Sequence, residues 1–161
     1  WYNGALSAPC AHAGGLLAAT QTTASWVSEL KPGACRHWAT ATAAPCTGLF
    51  KPVAVDQPVD LGPTPDDQYD DHCLWWRHER FHRRIVRSPT STWKFFQSHR
   101  DRLEERWLVE PPTSADAFAQ GDELLEQWTR QSRTFGSEDH RPGFVQRYWR
   151  RRNRRCGLPL D

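Results

Sequence analysis

The spacing of apolar residues changes once along this chain, and that change limits the folds available to it. From Thr22 to Pro52, small and large residues alternate with period two in two runs, with Pro32 and Gly33 between them. Such alternation places successive side chains on opposite faces of a strand, and the Pro-Gly pair indicates a turn. We therefore predict a β-hairpin. We expect Pro52 to close the strand, because proline cannot donate a hydrogen bond to a neighbouring strand.

Beyond residue 56 the apolar residues recur with the 3.6-residue period of a helix. The pattern predicts four helices, at residues 74–87, at 91–109, from Thr113 onward, and at about 142–155. Ser88-Pro89 and Pro111-Pro112 supply stop signals, and Thr113 with Asp116 resembles a capping box. Strands followed by helices are typical of an α+β fold.

The domain organisation follows from this change of period. We predict a single partial domain over residues 1–161, in which residues 1–55 are a strand region and residues 71–156 are helical. Residues 56–70, which are acidic and contain proline, are predicted to form a linker between the two regions.

Composition limits the cellular setting. The five cysteines are an odd number without a CxxC pair, which argues against a disulfide framework and favours a reducing compartment. No secretory or transmembrane run is present, so we expect a cytoplasmic protein without a membrane partner. The net charge is only +2, and the arginines near the C-terminus are typical of a solvated helix, so we expect no nucleic-acid partner.

Four groups of motifs occur in order between Cys10 and His82. They are Cys10-Ala-His12-Ala-Gly, Thr22-Thr-Ala-Ser25, Thr40-Ala-Thr42-Ala-Ala-Pro45-Cys46 with Phe50-Lys51-Pro52, and Leu74-Trp-Trp-Arg-His78-Glu-Arg-Phe-His82. This series resembles the C-terminal half of secernins and related dipeptidases, which are cysteine N-terminal-nucleophile (Ntn) hydrolases. The resemblance implies a four-layer αββα sandwich and the cleavage of amide bonds in small peptides through an acyl-enzyme intermediate.

The resemblance also implies where the nucleophile lies. In this family it is a cysteine exposed at the N-terminus by processing, with its own α-amino group as the general base. The chain begins at Trp1 and contains no methionine. We therefore expect the nucleophile to lie upstream, in a missing N-terminal half of the fold, and the chain alone to be inactive.

The resemblance further suggests candidate pocket residues. A polar residue on the strand that contains Cys10 helps to form the oxyanion hole in related enzymes, and we select His12 for that role. Thr22, Thr23 and Ser25 would lie on the adjoining strand beside the pocket. Three simpler alternatives stay open: packing roles for these residues, a thiolate–imidazole pair formed by Cys10 and His12, and a non-catalytic scaffold of the same family.

Smaller expectations concern neighbouring residues. Cys46 and Thr47 are expected to pack rather than react. Lys51 could anchor a substrate carboxylate, although a lysine at a strand end is usually solvated.

One motif points to different chemistry. His78-Glu79-Arg80-Phe81-His82 matches HExxH, in which two histidines on one helix face bind zinc and the glutamate is the general base of a metallopeptidase. A helical wheel places both histidines on the inner, apolar face. A third ligand would have to be Glu104 or Glu105, which no motif suggests, so we predict no cofactor and keep zinc as the alternative.

Overall fold

The computed structural model describes residues 10–13, 20–135 and 138–159, with side chains omitted at residues 89–91. Its strands are β1 (Trp26–Glu29), β2 (Arg36–Ala39) and β3 (Lys51–Val53), and its helices are α1 (Leu74–Ile85), α2 (Pro89–Val109), α3 (Ser114–Ser132) and α4 (Gly143–Arg155). The predicted order of strands before helices is confirmed. Residues 1–9 and 14–19 of the predicted strand region lie outside the described residues, and the αββα sandwich stays a prediction.

The described strands form an antiparallel sheet in the order β1-β2-β3. The hairpin is confirmed, with Trp26 opposite Ala39 and Glu29 opposite Arg36. Its loop contains Gly33 at φ 75°, in the left-handed region that glycine adopts without steric cost.

Two details of the predicted strands are wrong. Pro52 does not close a strand but lies inside β3, opposite Trp38. Proline is tolerated there because β3 is at an edge of the described sheet, where a missing N–H breaks no ladder. The second alternating run also leaves the sheet after Ala39, since Ala41 and Ala44 adopt positive φ values of 53° and 48°.

The helices agree closely with the sequence signals. The N-terminus of α3 is capped as expected, because the Thr113 side chain accepts a hydrogen bond from the Asp116 backbone N–H at 3.1 Å. The helix α1 ends two residues earlier than predicted, and α2 begins two residues earlier, at Pro89. Proline suits a first helical position, because the N–H it lacks has no intrahelical partner there.

Aromatic rings from three helices form the main core. The ring of Phe81 in α1 lies 5.7 Å from that of Phe96 in α2 and 5.8 Å from that of Trp128 in α3, measured between centroids. All three side chains are buried. On α4 the arginines at 147, 150–152, 154 and 155 are exposed, as predicted for a solvated helix, while Val145, Trp149 and Asn153 face inward. None of the helices in the described ranges is long and apolar enough to cross a membrane.

The expected solvation of Lys51 is also wrong. Its side chain is buried beneath α3, where Nζ donates to the carbonyls of Thr40 at 2.9 Å and Leu49 at 3.2 Å. The ammonium lies 5.0 Å from the centre of the Phe118 ring. Burial lowers the pKa of Lys51 to about 8. Sheet and helix thus meet around a buried cation, which is too enclosed to anchor a substrate carboxylate.

Gly121 makes this close approach possible, which gives a first prediction. A Cβ atom at Gly121 would lie 2.8 Å from Cε of Lys51, whose Nζ is held by two carbonyls. Alanine favours a helix over glycine by about 1 kcal/mol, but overpacking costs about 1–3 kcal/mol. Gly121→Ala is therefore expected to lower the free energy of unfolding in urea by about 1 kcal/mol. Gly143→Ala is the control, because nothing lies within 4 Å of that position; a Gly121→Ala variant as stable as this control would show that Lys51 can move aside.

Candidate functional site

A series of side chains in contact runs from two cysteines, through two histidines, to a buried glutamate. The Sγ atoms of Cys10 and Cys46 lie 3.5 and 3.2 Å from Nε2 of His12. Nδ1 of His12 lies 3.2 Å from Nε2 of His82, and Nδ1 of His82 lies 3.2 Å from Oε2 of Glu79. We call these five residues the Cys–His relay.

Three separate segments of the chain supply the relay. The segment of residues 10–13 is fixed by Thr22, whose N–H donates to the Ala11 carbonyl at 3.0 Å and whose Oγ1 accepts from the Ala11 N–H at 2.9 Å. Cys46 lies in a single 3₁₀ turn at Pro45–Thr47, and Arg100 of α2 donates to the Cys46 carbonyl at 2.6 Å. The inner face of α1 supplies the other two members.

Glu79 is the charged end of the relay. Its carboxylate is buried, yet it accepts hydrogen bonds from Gln21 at 2.9 Å and Arg83 at 2.7 Å as well as from His82. Burial alone would favour the neutral acid, but the charges and hydrogen bonds of His82 and Arg83 outweigh it and lower the pKa of Glu79 to about 2. The carboxylate is therefore ionised at neutral pH.

An ionised Glu79 sets the direction of the hydrogen bonds. The carboxylate can only accept, so Nδ1 of His82 carries a proton. When His82 carries this proton alone, its Nε2 accepts from Nδ1–H of His12. In that arrangement the Nε2 lone pair of His12 faces both sulfurs.

The two thiols share the space in front of that lone pair. A hydrogen bond with Cys46 and, to a lesser extent, contact with His12 hold the pKa of Cys10 well below its usual range. The same hydrogen bond and burial raise the pKa of Cys46. Cys10 is thus the sulfur favoured as thiolate, which is the form that attacks carbonyls or binds metals.

Arg83 joins the relay to the C-terminal helix. Its guanidinium donates to Oδ1 of Asn153 at 2.7 Å and lies over the rings of Trp149 and Trp76, at 4.8 and 5.7 Å from their centroids. The helical wheel puts Arg83 opposite the apolar face of α1, and α4 covers it there. Glu79 is therefore paired with an arginine whose side chain is only 11% exposed, rather than with solvent.

The two histidines of the HExxH motif are both buried, as the wheel predicted, but they engage different partners. Nε2 of His78 lies 3.1 Å from the Thr47 carbonyl, while His82 contacts His12. In the part of the chain that the structure describes, His78 belongs to no group of three ligand atoms that lie within 4.8 Å of one another. Glu104 is engaged elsewhere, accepting from the Phe50 N–H at 2.8 Å.

Of the four predicted pocket residues, the structure places only His12 in the relay. Thr22 positions the relay through Ala11, as described above. The Thr23 carbonyl accepts from the Trp75 indole N–H at 3.1 Å. Ser25 exchanges backbone hydrogen bonds with Thr40, accepting at its carbonyl and donating to Thr40 Oγ1, each at 3.0 Å.

Sequence reasoning missed Cys46 as a site residue and missed the burial of Glu79. Cys46 is 34 residues from His12, and no local pattern links them. The available signal was the presence of both cysteines and His12 within the motifs quoted above.

No protein-family model, curated protein or solved structure matches this chain.

Proposed function

We propose that this chain is the C-terminal part of a cysteine hydrolase that cleaves amide bonds in small peptides, as its resemblance to secernin-type dipeptidases implies. In this proposal the chain forms one side of an αββα Ntn sandwich. An N-terminal part packs against it and carries the nucleophilic cysteine.

The observation that carries the proposal is the uncovered surface of β1. Trp26 is 54% exposed, Val27 is 48% exposed, and Leu30 just beyond the strand is 73% exposed. Trp26 and Val27 are adjacent in a strand, so they point to opposite faces of the sheet. An edge strand with apolar side chains exposed on both faces favours further strands and a second layer, and that is what the rest of a sandwich would supply.

The relay supports the chemistry of the proposal. Cys10 is not the nucleophile in this proposal, but transfer of its proton to Nε2 of His12 creates a thiolate–imidazolium pair. In that state His12 carries an Nε2–H that can stabilise an oxyanion. Glu79 favours the state through His82, because a buried negative charge stabilises the imidazolium.

The test requires the longer protein. All in-frame coding sequence upstream of Trp1 is expressed together with this chain, and hydrolysis of a panel of dipeptides is followed by release of free amine. The extended protein is expected to cleave some of them, and to lose all activity when its processed N-terminal cysteine is replaced by alanine. An extended, folded protein without hydrolysis, or one without such a cysteine, would overturn the proposal.

Two matched variants test the role of β1 in the same protein. Val27→Lys is expected to prevent the N-terminal part from packing and to abolish hydrolysis, since it places a charge on β1 where the N-terminal part would cover that strand. Val55→Lys changes an equally apolar side chain that is 71% exposed, in the loop after β3, and is expected to have no effect. Protection of residues 26–29 from hydrogen exchange reports packing independently of activity.

A further inference from the structure

We propose that Cys10, His12 and Cys46 form a zinc site, in which His12 binds through Nε2. The site is distinct from the HExxH motif and uses neither His78 nor Glu79 as a ligand. It does not rest on the proposed peptidase activity, since it needs only residues that this chain contains. While zinc is bound, Nε2 of His12 cannot also carry the proton that the oxyanion role requires.

The ligand separations match zinc. Tetrahedral zinc has Zn–S bonds of about 2.3 Å and Zn–N bonds of about 2.0–2.1 Å, which place a sulfur and a nitrogen ligand roughly 3.5 Å apart. The two Sγ–Nε2 distances are 3.5 and 3.2 Å. All three ligand atoms lie within 4.8 Å of one another. A single ion can therefore be placed in contact with all three ligands by small side-chain movements.

The partners of His12 are those expected behind a metal ligand. A metal-bound histidine usually donates its second ring N–H to a fixed acceptor, which sets the tautomer and the ring orientation. With zinc on Nε2, Nδ1 of His12 carries the proton and donates to Nε2 of His82, 3.2 Å away, and Nδ1 of His82 in turn donates to the buried carboxylate of Glu79. The result is an Nε2 lone pair aimed at two sulfurs. A thiolate–imidazole pair alone would not require the second sulfur at 3.2 Å.

The chemistry of the ligands favours zinc over harder cations. Two thiolates and an imidazole suit zinc or another thiophilic metal, whereas magnesium and calcium prefer oxygen ligands. Two thiolates also neutralise the charge of the ion. Three protein ligands leave the fourth position for water or for a ligand from outside the described residues, as in zinc sites that keep an open position.

The test uses the purified protein after reduction and removal of metal by a chelator. Zinc alone is titrated against a chromophoric competitor, and cobalt is used as a spectroscopic substitute. We expect one zinc per chain and a sulfur-to-cobalt charge-transfer absorption, both lost in Cys46→Ser and Cys10→Ser. Cys35→Ser is the matched control, because Cys35 is exposed and outside the relay; it is expected to keep both signals.

A second pair of variants covers the case in which loss of a ligand prevents folding. His82→Leu removes the acceptor behind His12 and is expected to weaken zinc binding by about 10–100-fold, while His82→Gln, which retains an acceptor, restores part of it. Circular dichroism checks that each variant is folded. Three results would each overturn the proposal: reduced, folded protein that binds no zinc; zinc binding lost in His78→Ala but kept in Cys46→Ser; and a Cys10–Cys46 disulfide whose reduced form takes up no metal.

Discussion

Replacing Arg83 by methionine is expected to lower the free energy of unfolding by about 3–5 kcal/mol. Arg83 donates to Glu79 at 2.7 Å, and the Glu79 carboxylate is almost fully buried. Methionine fills much of the same volume but carries no charge. The variant therefore leaves Glu79 with hydrogen bonds from His82 and Gln21 but without a guanidinium partner, in a region where an unpaired carboxylate is costly.

Urea unfolding at neutral pH measures this effect. Arg102→Met is the control, because Arg102 is exposed on α2 and its change should stay within about 0.5 kcal/mol. The double variant Glu79→Gln/Arg83→Met should recover part of the loss, since it removes the buried charge that the single variant leaves behind. If the single variant is as stable as the Arg102 control, Glu79 is solvated or neutral, and the direction of the relay derived above is wrong.

The features that sequence predicted well are those with a local cause. Thr113 and Asp116 cap α3 through atoms three residues apart, and prolines occur at the predicted breaks between helices. The hairpin depends on alternation within two short runs and on one Pro-Gly turn. In each case the residues that decide the structure are neighbours in the chain.

The features that sequence missed depend on contacts between distant segments. Lys51 is buried because α3 packs over β3 at Gly121, and nothing near Lys51 in the sequence signals this. Glu79 is buried because Arg83 and α4 close over it. The relay brings together residues 10, 12, 46, 79 and 82. Sequence spacing links only the pairs within one motif, which are Cys10 with His12 and Glu79 with His82. The wheel of α1 identified both histidines as inward-facing, but it could not identify the partner of each.

His78 gives the second large effect, which is a loss of stability in mild acid. Burial lowers the pKa of His78 from 6.5 to about 4, against the opposing hydrogen bond to the Thr47 carbonyl. The charged and titratable groups that act on it are His82, Glu79 and Lys51. Because the folded-state pKa lies below the unfolded value, its contribution is complete above pH 6.5 and is lost as the pH falls toward 4. A shift of this size corresponds to roughly 3 kcal/mol.

His78→Gln should remove most of this pH dependence, because glutamine can still donate to the Thr47 carbonyl but does not titrate. Urea unfolding is measured from neutral pH down to pH 4.5, the ordinary pKa of a glutamate. Below that pH, Glu79 adds a loss of stability of its own, because its folded-state pKa is lowered to about 2. His72→Gln is the control, because the His72 side chain is 84% exposed and its replacement should leave the slope unchanged.

If His78→Gln keeps the native slope, His78 is not the group that titrates, and its burial against Thr47 does not hold in solution. If the slope disappears, the inner face of α1 contains a histidine that is neutral at physiological pH, next to a relay whose glutamate is charged. That difference separates the two histidines of the motif into a packing residue, His78, and a member of the relay, His82.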